Sequence, residues 1–195
     1  MATKISAYAF IDAQNMTKGT TLDKKPWKVD LREFRKYLKD KYGVNKAFYF
    51  IGVYDKKLVD LYEFIEKVGY EVVYREHDIK ARGKKKGNVD TDIVFSAMNE
   101  VFVKNKPVKV VLVSGDGDYK KMVELLIKKN KFRKILFPNR QWSSLYKSLD
   151  DRYFAKIYTP DMRKILQLEE TQQRHKKWKG RTFRGPSSSW FMTLL

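Results

Sequence analysis

The stretch VLVSGDGDYKKM, residues 111–122, ends an apolar run in two carboxylates, Asp116 and Asp118, set among glycines. Two other places carry a similar signal. FIDAQNM puts Asp12 at the end of an aromatic and apolar run with Asn15 close behind, and GNVDTDI opens a helical pattern with Asp90 and Asp92. Each acid alone has an ordinary explanation, because Asp is a favoured helix N-cap and helix N-termini welcome negative charge. The glycines could likewise serve only a tight turn. Gathered at one place, the acids point elsewhere. Two carboxylates held about 4 Å apart repel by roughly 4 kcal/mol at an effective dielectric of 20. A fold that collects several needs a cation among them, and carboxylate oxygens suit Mg²⁺ or Mn²⁺.

The elements that must position these acids follow from hydrophobic patterning. Apolar runs at 7–12, 46–54, 70–76, 108–116, 134–138 and 153–158 read as strands. Between them lie helical periodicities at about 29–43, 56–69, 89–104, 119–130, 143–151 and 160–168, the first closed by Gly43. Residues 17–28, rich in Thr, Lys and Gly, read as a loop. Strands that are apolar throughout and alternate with helices predict an α/β fold, a mostly parallel sheet with helices on both faces. In such a sheet ligands bind at the carboxyl ends of the strands, near the point where strand order reverses. Asp12 and Asp116 both end strands, so they share one site if their strands are neighbours. Periodicity alone does not establish that adjacency.

Composition supplies the partner. Lys and Arg number 42 against 23 Asp and Glu, a net charge of +19. Such an excess suits a polyanion, and nucleic acid is the expectation. The basic loop KARGKKKGN reaches the same edge as Asp90, which makes Lys84, Lys85 and Lys86 candidate phosphate contacts. Residues 1–168 read as one domain and 169–195 as a basic, mobile tail. In that tail Lys176, Lys177 and Arg181 are interleaved with Trp178, which suits stacking on unpaired bases. The apolar end WFMTLL offers a surface for docking or for a homo-oligomer.

Several chemistries are excluded. With no cysteine there is no disulfide, zinc–thiolate site or Cys nucleophile. Neither a phosphate-binding G-x-x-x-x-G-K-[ST] loop nor a G-x-G-x-x-G fingerprint is present. The two histidines, His77 and His175, do not suggest a two-histidine ribonuclease or a Ser-His-Asp triad. A phosphotransferase with an Asp nucleophile at Asp12 usually needs a second acid two residues on, where Gln14 stands. No run is long enough to span a membrane as a helix, and a cytoplasmic protein is the default expectation.

Taken in order, FIDAQNM, KKKGNVDTDI and VLVSGDGDYKKMVELL resemble the motifs of the NYN domain family, PIN-like ribonucleases, in its LabA-like branch. The third is similar to that family's Ser-Gly-Asp-x-Asp-Phe stretch, which brings in Asp116 and Asp118. The resemblance covers most of residues 5–158. It implies a three-layer fold with strand order 3-2-1-4-5, which places the first and fourth strands side by side. It also implies RNA cleavage dependent on one or two Mg²⁺ or Mn²⁺ ions, leaving 5′-phosphate and 3′-hydroxyl ends. The implied catalytic set is Asp12, Asn15, Asp90, Asp116 and Asp118. Metal ligands would be Asp12, Asp90 and Asp116, with Asp92 and Asp118 as further candidates, and Asn15 and Ser114 would each fix a ligand or hydrogen-bond the scissile phosphate. Many members carry another Asp where Ser96 stands, so an RNA-binding module with little activity is the alternative.

Overall fold

The computed structural model describes residues 5–21, 25–75 and 89–168. Its centre is a six-stranded sheet in which all five strand pairings are parallel. The strands are β1 (Ala7–Asp12), β2 (Val44–Val53), β3 (Glu71–Arg75), β4 (Lys109–Val113), β5 (Phe132–Phe137) and β6 (Phe154–Lys156), in the order β3-β2-β1-β4-β5-β6. The expected order of the first five strands holds, and β6 extends it beside β5. Strand order reverses between β1 and β4.

Every residue of β1 is buried, and its side chains divide between two cores as the period of two requires. Ala7, Ala9 and Ile11 join one core with Met16, Phe34 and Leu38. Tyr8 and Phe10 join the other with Ile93, Val123 and Leu126. The first core is covered by α1 (Ala13–Thr21), α2 (Leu31–Tyr42), α3 (Val59–Lys67) and α6 (Pro160–Leu166). The second lies under α4 (Val89–Met98) and α5 (Lys120–Lys128). The result is the expected three-layer α/β fold.

α2 has the ends its sequence signals. The Asp30 side chain accepts from the amide of Arg32, and Gly43, at φ 67°, turns its own N–H back onto the carbonyls of Leu38 and Lys39.

Two segments differ from expectation. Residues 17–21 are helical, not loop, because α1 continues to Thr21. Thr and Gly are weak helix formers, but Met16, Thr17 and Thr20 are buried against the sheet, and the Thr20 and Thr21 hydroxyls donate to the Thr17 carbonyl. Burial overrides propensity there. Conversely, the helix expected over 143–151 is two 3₁₀ turns, Ser144–Ser148 and Asp151–Tyr153. Ser143 and Asp150 each cap a new turn, so the segment restarts before an α-helix can propagate.

Candidate metal and nucleic-acid site

Register brings the first two acids together. Ile11 of β1 pairs with Val113 of β4, so Asp12 and Ser114, the next residue of each strand, lie side by side at the carboxyl edge. Ser114 is fully buried. Its hydroxyl donates to Asp12 Oδ2 at 3.4 Å and accepts from the amide of Asp116 at 3.1 Å. Asp12 Oδ1 accepts from the amide of Asn15 at 2.8 Å. Asp12 is 6% exposed, and burial, opposed by the Asn15 amide and reinforced by the nearby Asp90 and Asp116, pushes its carboxyl up from 3.8 to about 6.

Asp90 arrives from α4. It shares a helical stripe with Ile93 and Ala97, which are buried in the second core, so packing that stripe delivers Asp90 to the same edge. One oxygen from each of Asp90, Asp116 and Asp118 lies within 4.8 Å of the other two. Asp12 is not a member of that set, but it lines the same cleft, on its buried side. Asp92 is not in the set either. Two helix positions apart is about 200° of rotation, which turns Asp92 away from Asp90.

The SGDGD turn is held from three sides. Asn15 Oδ1 accepts from the Gly115 amide at 2.8 Å, tying α1 to the end of β4. Because that atom is an acceptor it is the carbonyl oxygen, and the amide nitrogen makes no hydrogen bond among the described residues. Asp116 Oδ1 accepts from the amide of Asp118 at 3.0 Å and caps the turn Gly117–Tyr119. The Tyr146 hydroxyl donates to the Asp116 carbonyl at 2.7 Å. The glycines serve close approach, since neither has a positive φ. A Cβ on Gly115 would lie 3.1 and 3.2 Å from Cβ and backbone Cα of Trp142, and one on Gly117 would lie 2.5 Å from Ser143 Oγ. The Ser143 amide also donates to the Gly115 carbonyl at 2.8 Å, which limits how far the neighbouring chain can retreat. Gly115→Ala is therefore expected to cost about 1–3 kcal/mol. Urea denaturation checks this, and an unchanged midpoint would contradict it.

The cleft beside these acids has a volume of about 450 Å³, and its lining includes Asp12, Asp90 and Asp116 together with Gln14, Lys18 and Gln141. Among the described residues Lys18 is the only cation lining it. Sequence reasoning passed over Lys18, although it follows Asn15 by one helical turn and so shares its face. Tyr119 was also missed. It is fully buried, and its hydroxyl hydrogen-bonds Asp90 Oδ1 and lies 3.3 Å from Asp12 Oδ2. The expected contacts Lys84, Lys85, Lys86, Lys176, Lys177, Trp178 and Arg181 lie outside the described residues, as does the tail. No helix among the described residues is long and apolar enough to cross a membrane.

A crystal structure of a Vibrio parahaemolyticus protein of unknown function is similar, with a TM-score of 0.66 at 24% identity over 86% of this chain and 99% of that one. At that identity the likeness concerns the fold. No curated protein matches the sequence significantly. The NYN domain model matches residues 6–157, which include β1 through β6 and every acid of the cleft. With its acids gathered at the carboxyl edge of β1 and β4, the chain belongs to the NYN domain family, a PIN-like nuclease family.

Proposed function

We propose that the chain is a divalent-metal-dependent endoribonuclease. The observation that carries this is the convergence of Asp90, Asp116 and Asp118 beside the buried Asp12, in a chain whose net charge is +19. The donor set fits Mg²⁺ or Mn²⁺, since every candidate ligand among the described residues is a hard carboxylate oxygen. Asp90, Asp116 and Asp118 would hold the ion, with Asp12 beneath them as a further ligand. Bound there, the ion supplies charge neutralisation and Lewis-acid polarisation of the phosphodiester.

The chain's own residues do the rest. Lys18 meets a backbone phosphate in the cleft. The Asn15 amide nitrogen donates to a phosphate oxygen while its carbonyl oxygen keeps the SGDGD turn in place. Ser114 acts from below, orienting Asp12 and the Asp116 amide without touching substrate. RNA rather than DNA is the substrate that the resemblance to the family's ribonucleases implies.

Incubating single-stranded and hairpin RNAs with the chain in Mn²⁺, Mg²⁺ or EDTA tests the proposal. Products with 5′-phosphate and 3′-hydroxyl ends are expected only with metal. RNA that is bound and left intact under every metal condition would instead support an RNA-binding module, the reading that Ser96 in place of a family Asp favours. Lys18→Ala is expected to weaken single-stranded RNA binding about 3–10-fold and to reduce the slope of log K against log salt by about 0.7. Fluorescence anisotropy across a KCl series measures both, and an unchanged slope would remove Lys18 from the interface.

A further inference from the structure

The proposed chemistry leaves Tyr119 without a task. Its ring belongs to the second core, where it is fully buried, and a phenylalanine would fill that volume. The hydroxyl is the part that requires explanation, because burying it is unfavourable unless it finds partners. Its partners are two acids: it hydrogen-bonds Asp90 Oδ1 and approaches Asp12 Oδ2 at 3.3 Å. A phenol has one proton to donate and can do so fully to only one acceptor, here the nearer Asp90. The two carboxylates come from different parts of the chain, Asp12 from β1 and Asp90 from α4, and Tyr119 stands between them at the entrance to α5.

We infer that Tyr119 is a positioning residue. Its hydroxyl fixes the plane of the Asp90 carboxylate and its separation from Asp12, and thereby sets the direction in which Asp90 offers oxygen to a cation. The inference rests on the metal-site reading above. Metal ligands are routinely oriented by such outer hydrogen bonds, and losing one typically lowers metal affinity 10–100-fold.

The test is Tyr119→Phe in the full chain, with Mn²⁺ affinity read directly by electron paramagnetic resonance, independently of cleavage. A dissociation constant weakened about 10–100-fold is expected, with the RNA KM unchanged and kcat recovering as Mn²⁺ is raised. In an Asp90→Asn background the same substitution should have no further effect on Mn²⁺ affinity. A Tyr119→Phe constant within twofold of the natural chain would overturn the inference, and so would an undiminished effect in the Asp90→Asn background. A natural chain that binds no Mn²⁺ would overturn both this inference and the metal site. Mn²⁺ binding that Asp116→Asn abolishes and Tyr119→Phe leaves intact would overturn this inference alone.

Discussion

Asp116→Asn is expected to lower RNA cleavage at least about 100-fold, since even the hydrogen-bonding partner of a metal ligand is worth 10–100-fold. The fold should survive. Asp116 caps the Gly117–Tyr119 turn through Oδ1, and an asparagine keeps that acceptor for the Asp118 amide. The Tyr146 contact falls on the Asp116 backbone carbonyl and does not depend on the side chain. What the substitution removes is one negative charge from a set of three oxygens within 4.8 Å of one another. Thermal stability without metal should therefore hold or rise, and RNA affinity should not weaken, because a repulsive charge has left the phosphate path. Cleavage close to that of the natural chain would take Asp116 out of the metal site. Loss of cleavage accompanied by unfolding would instead make it a structural cap.

Asp12→Asn should abolish cleavage and, without metal, stabilise the protein. The sign follows from the raised carboxyl. With a folded value of about 6 against 3.8, the native state holds the Asp12 proton more tightly than the unfolded chain. Between those values stability falls as pH rises, and above pH 6 the full penalty of a buried charge applies. A shift from 3.8 to about 6 corresponds to about 3 kcal/mol at 1.36 kcal/mol per unit. Asparagine keeps an oxygen for the Asn15 amide, and its nitrogen can donate to the Ser114 or Tyr119 hydroxyl oxygen. At pH 7 in EDTA, Asp12→Asn is expected to melt roughly 5–10 °C above the natural chain, with the gap closing toward pH 4. Saturating Mn²⁺ should stabilise the natural chain more than the variant. A variant that melts below the natural chain in EDTA at pH 7 would show that the Asp12 charge is compensated in the fold.

Much of this site could be read before the fold was known, for identifiable reasons. β1 announces itself because Ala7–Asp12 is buried on both faces and its apolar run stops at a charge. Gly43 marks the end of α2 because only its left-handed backbone lets the N–H turn back to Leu38 and Lys39. The β1–β4 adjacency was not legible in periodicity and was implied only by the resemblance to the NYN domain family. Other features escaped for equally physical reasons. α1 runs through Thr17, Gly19 and Thr20 because tertiary burial outweighs propensity, which no local rule registers. Lys18 went unnoticed because it sat in a segment read as loop. The tight packing of Gly115 depends on Trp142, which arrives from β5's far end. The role of the Tyr119 hydroxyl was not legible because the two carboxylates beside it come from distant parts of the chain.

The most direct test of the account is the single-turnover cleavage rate of one 5′-labelled single-stranded RNA, measured against free Mn²⁺, with Mn²⁺ binding measured on the same preparation. No cleavage is expected in EDTA, and the rate should rise with Mn²⁺ occupancy and vanish in Asp116→Asn. Cleavage that persists in EDTA or in Asp116→Asn, or full Mn²⁺ occupancy with the RNA left intact, would contradict it.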